Sequence, residues 1–110
     1  MIIDNDGEVT IVFQDNVALP KFMEDLGAAH PKLKNDNLIV NLLSMKGVTA
    51  ADLTGLLAIS KSHRAGKRSF VIVTDKVSYD ELPEELLVVP TLQEAKDVIE
   101  MEEIERDLGL

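Results

Sequence analysis

Cysteine is absent from the chain. That removes disulfides, a thiolate nucleophile and any Cys-ligated zinc, and it fits a reducing compartment. Histidine is nearly absent: His30 and His63 are the two present. Neither has a ligand partner at a useful spacing, and both sit where helix ends are expected, so helix termination and the helix dipole explain them better than catalysis or metal binding. There is no Ser/His/Asp or Cys/His order, no Gly-rich phosphate loop and no basic aromatic patch. No run approaches the roughly 18 apolar residues of a membrane span. The opening Met1-Ile2-Ile3-Asp4-Asn5-Asp6 turns acidic too early for a signal peptide. These absences predict a cytoplasmic, non-enzymatic protein with no cofactor, no metal and no membrane partner.

Basic residues are scarce in one place. The net charge is −9. Residues 1–77 balance nine acids with nine bases, whereas residues 78–110 hold eleven acids against Lys96 and Arg106. Phosphate binding draws on clustered Lys and Arg, so direct nucleic-acid binding is not expected of that region.

What remains is the pattern of a single α/β domain spanning 1–110, large enough to bury roughly 65% of its unfolded surface. The organising stretch is Asn37 to Asp75. Leu38-Ile39-Val40 and Phe70-Val71-Ile72-Val73 read as strands, and Thr49 to Ala65 has helical periodicity, which together make a βαβ unit with parallel strands. Thr49-Ala50-Ala51-Asp52 spells a capping box, and Gly66 is expected to supply the left-handed residue that stops the helix. Before this unit, Met1–Asp4 and Glu8–Gln14 read as a hairpin, and Leu19–Ala29 as a helix ended by His30-Pro31. After it come a short helix from Ser78 to Leu86, a short strand Leu87-Val88-Val89, and an acidic helix over about 91–108 opened by a second capping box, Thr91 to Glu94. The last helix, about 25 Å long, is long enough for its final turns to run past the body of the domain.

The order ββαβαβαβα resembles the STAS domain, the fold of anti-sigma factor antagonists and of the cytoplasmic part of sulfate transporters. The resemblance rests on Asn37-Leu38-Ile39-Val40-Asn41-Leu42, on Asp52-Leu53-Thr54-Gly55-Leu56, on His63-Arg64-Ala65-Gly66-Lys67 before a Val/Ile strand, and on Val89-Pro90-Thr91-Leu92-Gln93-Glu94-Ala95. It implies a STAS-like fold with a small mixed sheet and about four helices, and a regulatory, protein-binding role. In the antagonists the helix start reads D-S-[ST]-G-L, with its first Ser phosphorylated. Here Leu53 stands at that position, so the switch is missing, and Thr54 is the residue left for a displaced phosphosite. The tail Met101 to Gly109 also resembles short stand-alone STAS-like proteins sometimes labelled ribonuclease Z. The two histidines rule out that enzyme's dinuclear zinc chemistry, so the resemblance implies at most an accessory role beside such an enzyme.

Three candidate surfaces follow. Thr49, Asp52, Leu53, Thr54 and Gly55 would face a protein partner, as the resemblance implies for Leu53. Leu92, Ala95, Val98, Ile99, Met101, Ile104 and Leu108 share one broad apolar face of the last helix, and where its final turns outrun the domain Met101 and Ile104, with Leu108, would offer an apolar stripe with an acidic rim, suited to a basic partner or to a second copy of the chain. Ser44, Thr74, Asp75 and Ser78 would line a groove for a small ligand such as a nucleotide or lipid, near a positive helix end.

Overall fold

A computed structural model describes residues 1–7, 9–13 and 18–109. Five strands form one sheet in the order β1 to β5: Ile2–Asp6, Val9–Phe13, Asn37–Asn41, Phe70–Val73 and Val88–Val89. β1 pairs antiparallel with β2, and every later pairing is parallel. The α/β class with a mixed sheet is therefore as expected, and so is the opening hairpin. Gly7 adopts φ +67° in its turn, a conformation L side chains rarely take. The expected strand ends Glu8 and Gln14 lie outside the described residues.

Strand periodicity divides the core in two. Val12, Val40 and Ile72 stand in one cross-strand row, and Ile11, Ile39 and Val71 in the next. The first row packs with Phe22, Leu26, Leu33, Leu53 and Leu56, contributed by the helices α1 (Leu19–Leu33) and α2 (Ala50–Thr54) and the link beyond α2. The second packs with Ala95 and Ile99 of the last helix, α4 (Leu92–Asp107). The remaining helix, α3, spans Leu57–Ala65.

The helices differ from expectation in four places. α1 continues through Pro31 to Leu33. The bond that Pro31 removes belongs to the carbonyl of Gly27, which is exposed, while the extra turn delivers Leu33 to the core. The single helix expected from Thr49 to Ala65 is two, α2 and α3, separated at Gly55-Leu56. Gly66 has a negative φ of −82°, and Lys67 carries the positive φ of 66° instead. The helix expected from Ser78 to Leu86 is a 3₁₀ turn over Tyr79–Glu81, since Pro83 cannot donate to a longer ladder.

No helix among the described residues is long and apolar enough to cross a membrane.

Candidate functional site

The loops after β3 and β4 share the carboxyl end of the parallel strands, so Ser44, Thr49, Thr74, Asp75 and Ser78 fall at one edge of the domain. Their polar groups are engaged largely within their own loops. The Thr49 N–H donates to Asp52 Oδ2 at 3.0 Å, and the Asp52 N–H donates to Thr49 Oγ1 at 3.2 Å, the reciprocal capping box. Thr74 is buried and its Oγ1 accepts from the Lys76 N–H at 3.3 Å. Lys76 Nζ bonds Asp75 Oδ1 at 2.5 Å, and that ammonium holds the Asp75 carboxyl below its usual range. The Tyr79 hydroxyl donates to the Thr74 carbonyl at 3.4 Å. Ser44 and Ser78 are exposed. Thr74, expected to line a groove with Ser44, Asp75 and Ser78, is buried, while the other three are exposed.

The helix-start surface needs a firmer correction. Leu53 is fully buried among Phe22, Leu26 and Leu56 and belongs to the core, not to a docking face. Leu53 is the fourth residue past the N-cap Thr49, about one turn in, on the side of α2 that packs into the core. Thr54 is exposed, with its hydroxyl donating to the Ala50 carbonyl at 3.0 Å. Gly55 is a packing site: a Cβ there would stand 2.7 Å from Met23 Cε.

The last helix is different in kind. Thr91 Oγ1 accepts from the Glu94 N–H at 3.1 Å and opens it. Ala95 and Ile99 face the sheet, and one and two turns on the same inward stripe becomes polar, at Glu102, Glu103 and Arg106. These three meet Asn37 and Ser69, buried residues at the amino end of the parallel strands. Asn37 Nδ2 donates to Glu103 Oε1 at 2.5 Å, and Asn37 Oδ1 accepts from the Ser69 N–H at 2.9 Å and from Arg106 Nη2 at 3.3 Å. Ser69 Oγ donates to Glu102 Oε1 at 2.5 Å and accepts from Arg106 Nη2 at 3.2 Å. Arg64 closes the frame, with Nη2 at 2.6 Å from Glu102 Oε2. Burial alone would raise Glu102, but the bonds from Arg64 and Ser69 and the charges of Arg64 and Arg106 outweigh it, and its carboxyl is held below the usual range.

The expected overhang of the last turns is thus replaced by polar anchoring. The outward consequence is that Met101, Ile104 and Leu108 are 62%, 54% and 68% exposed, at i, i+3 and i+7 on the solvent face. Asp97, Glu100, Glu105 and Asp107 surround them and are exposed. Helical spacing groups Met101, Ile104 and Leu108 with Ala95 and Ile99 on one broad apolar face, exposed only by overhang; in the structure Ala95 and Ile99 face the sheet and the other three stand on the opposite side of the helix. The anchoring residues Asn37, Arg64 and Ser69 have no place in that reading. Their signal was an Asn and a Ser heading two otherwise apolar strands.

His30 and His63, expected to serve helix ends separately, stand together. His30 Nε2 lies 3.0 Å from His63 Nδ1, and His63 is buried against Phe70. No group of three or more metal-ligating side chains occurs among the described residues.

The fold and this surface define an α/β domain whose mixed sheet holds an amphipathic helix with both of its sides committed, one to the sheet and one to solvent. No protein-family model matches the chain, and no curated protein matches it.

Proposed function

We propose that this chain is a non-enzymatic, STAS-like interaction module that binds a basic, amphipathic protein segment through the outer face of α4. The observation that carries the reading is the exposed stripe Met101, Ile104 and Leu108 on a helix whose inner face is fixed by the Asn37–Ser69–Glu102–Arg106 frame. A stripe so held loses little conformational entropy on docking, and each large apolar side chain buried there contributes about 2 kcal/mol. The acidic rim selects the sign of the partner. A second copy would set rim against rim, which like-charge repulsion opposes, whereas Lys and Arg flanking an apolar stripe complement it. The STAS-like strand and helix order supports a regulatory use, and the leucine at the phosphoserine position favours control by partner abundance over control by a kinase.

The test is a titration of the isotope-labelled chain with a synthetic helical peptide carrying a leucine stripe between lysines. Amide shifts should be saturable, confined to about residues 97–108, and weaker at high salt. The double variant Met101→Asp, Ile104→Asp should fold and lose the shifts. Shifts centred on Thr49–Thr54 or Asp75–Ser78 instead, or self-association of the free chain in sedimentation, would overturn the reading.

A further inference from the structure

His63 projects from α3 into the interior with both ring nitrogens engaged. Nε2 lies 2.6 Å from the Asp36 carbonyl and Nδ1 lies 3.0 Å from His30 Nε2. A carbonyl only accepts, so the His63 proton is on Nε2. In the neutral ring Nδ1 is then an acceptor, and His30 Nε2–H must be the donor to it. The pair ties the end of α1 to α3 and to the turn at Asp36. It does so beside Pro31, where α1 lacks a backbone bond.

The charges around the pair come from each neighbouring element. α1 and its end bring His30 and Lys34, α3 and its end bring Arg64 and Lys67, and Arg68 precedes β4. Asp36 is the nearby acid; its carboxylate accepts from Thr10 Oγ1 at 3.0 Å and its charge still favours a proton on His63. Arg64 is spent on Glu102. Burial above all lowers the His63 pKa below its ordinary value; the bond to the Asp36 carbonyl and the charge of the Asp36 carboxylate oppose this, and His30 and Arg68 reinforce it.

We propose that His30 and His63 form an acid-labile latch between the end of α1 and α3, closed by the bond from His30 Nε2–H to His63 Nδ1 and opened when a solvent proton arrives at His63 Nδ1. With His30 still carrying a proton on Nε2, that proton sets N–H against N–H across 3.0 Å and the rings part. Room exists for it: an open cleft of about 510 Å³ is lined by His30, Pro31, Lys34, Ser62 and Gly66. The Asp36 bond survives, because His63 keeps its Nε2 proton, so the latch releases α1 and leaves the Asp36 turn in place. In the folded chain His63 binds its proton less readily than in the unfolded chain. Its contribution to stability is therefore complete above the ordinary histidine range and declines as pH falls from there toward the lowered value.

Imidazole nitrogen shifts and amide exchange of the full labelled chain, followed from about pH 8 to about pH 5, test the latch. Above neutrality His63 should show a bare Nδ1 and a protonated Nε2. Protection of the Lys32 and Leu33 amides, corrected for intrinsic exchange, should fall in step with His63 titration, while that of Ala95 to Ile99 should not. In His30→Ala the His63 midpoint should rise by roughly half a pH unit, because no opposing N–H remains. The opposite His63 tautomer, or α1 protection indifferent to His63 titration, overturns the proposal. So does an unchanged midpoint in His30→Ala. The tautomer and the coincidence of the two wild-type titrations decide the matter without the variant, should it fail to fold.

Discussion

The two ends of the parallel strands solve the same problem by opposite means. At the carboxyl end, where open α/β sheets commonly carry their sites, the polar groups satisfy one another over one to three positions: Thr49 with Asp52, Thr74 with Lys76, Asp75 with Lys76. At the amino end they reach across the chain, Asn37 to Glu103 and to Arg106, and Ser69 to Glu102. Local satisfaction closes a loop without committing it to anything else. Long-range satisfaction fixes a whole helix, and that fixed helix is what leaves an apolar stripe standing in solvent. In this molecule the amino end therefore does the positioning.

The largest effect expected on breaking that contrast is at Leu53. Its aspartate variant places a charge among Phe22, Leu26 and Leu56 with no partner, and the loss should be about 4 kcal/mol or more. For a marginally stable domain that is a large share of the total. Urea denaturation or circular dichroism should find it largely unfolded. A folded Leu53→Asp chain would mean that this part of the carboxyl end is surface after all.

Asn37→Ala comes next. It leaves the Ser69 N–H without its acceptor and Glu103 without its donor, so about 2 kcal/mol should be lost, with increased exchange in the last turns of α4. Its pH counterpart is Glu102. A carboxylate held below its usual range stabilises the fold above the ordinary Glu range, and that contribution is lost as pH falls through the lowered value. Glu102→Gln should accordingly be less stable than wild type at neutral pH, and the gap should close on acidification. A gap that persists undiminished in acid would show that Glu102 acts by shape alone.

What the sequence made legible follows the same division. The capping box at Thr49 and the opening hairpin are readable, because each depends on neighbours within about one helical turn or one strand period. The solvent side of Met101 and Ile104 is not, because the inward stripe of the last turns is polar, at Glu102, Glu103 and Arg106, and apolar spacing alone groups the two with Ala95 and Ile99. The strands were readable because buried Val/Ile runs of that length fit little else. Leu53 was misplaced because a resemblance assigned it a side that the helix period, with Leu56 next in line, does not. Asn37, Ser69 and Arg64 escaped because nothing local says that an Asn opening one strand will meet an Arg sixty-nine positions later. The His30–His63 pair escaped for the same reason: each residue had a sufficient local explanation at a helix end.

Smaller effects sharpen the comparison at each end. Thr49→Ala should cost about 1 kcal/mol and leave the exchange of α4 untouched, as a local cap must.

At the amino end the matching probe is Lys67, the residue at φ 66° between α3 and β4. A left-handed residue with a Cβ is strained by about 1 kcal/mol, and glycine is not, although glycine also gains freedom in the unfolded chain. Lys67→Gly should therefore stabilise the fold by only ~0.5 kcal/mol, read as a higher urea midpoint at unchanged slope. The strain persists because this bend turns Arg68 toward the Asn35 carbonyl, where its Nε donates at 2.8 Å, and delivers Ser69 to Asn37 and Glu102. A destabilised Lys67→Gly would mean that the lysine side chain, and not the long-range frame, holds the bend.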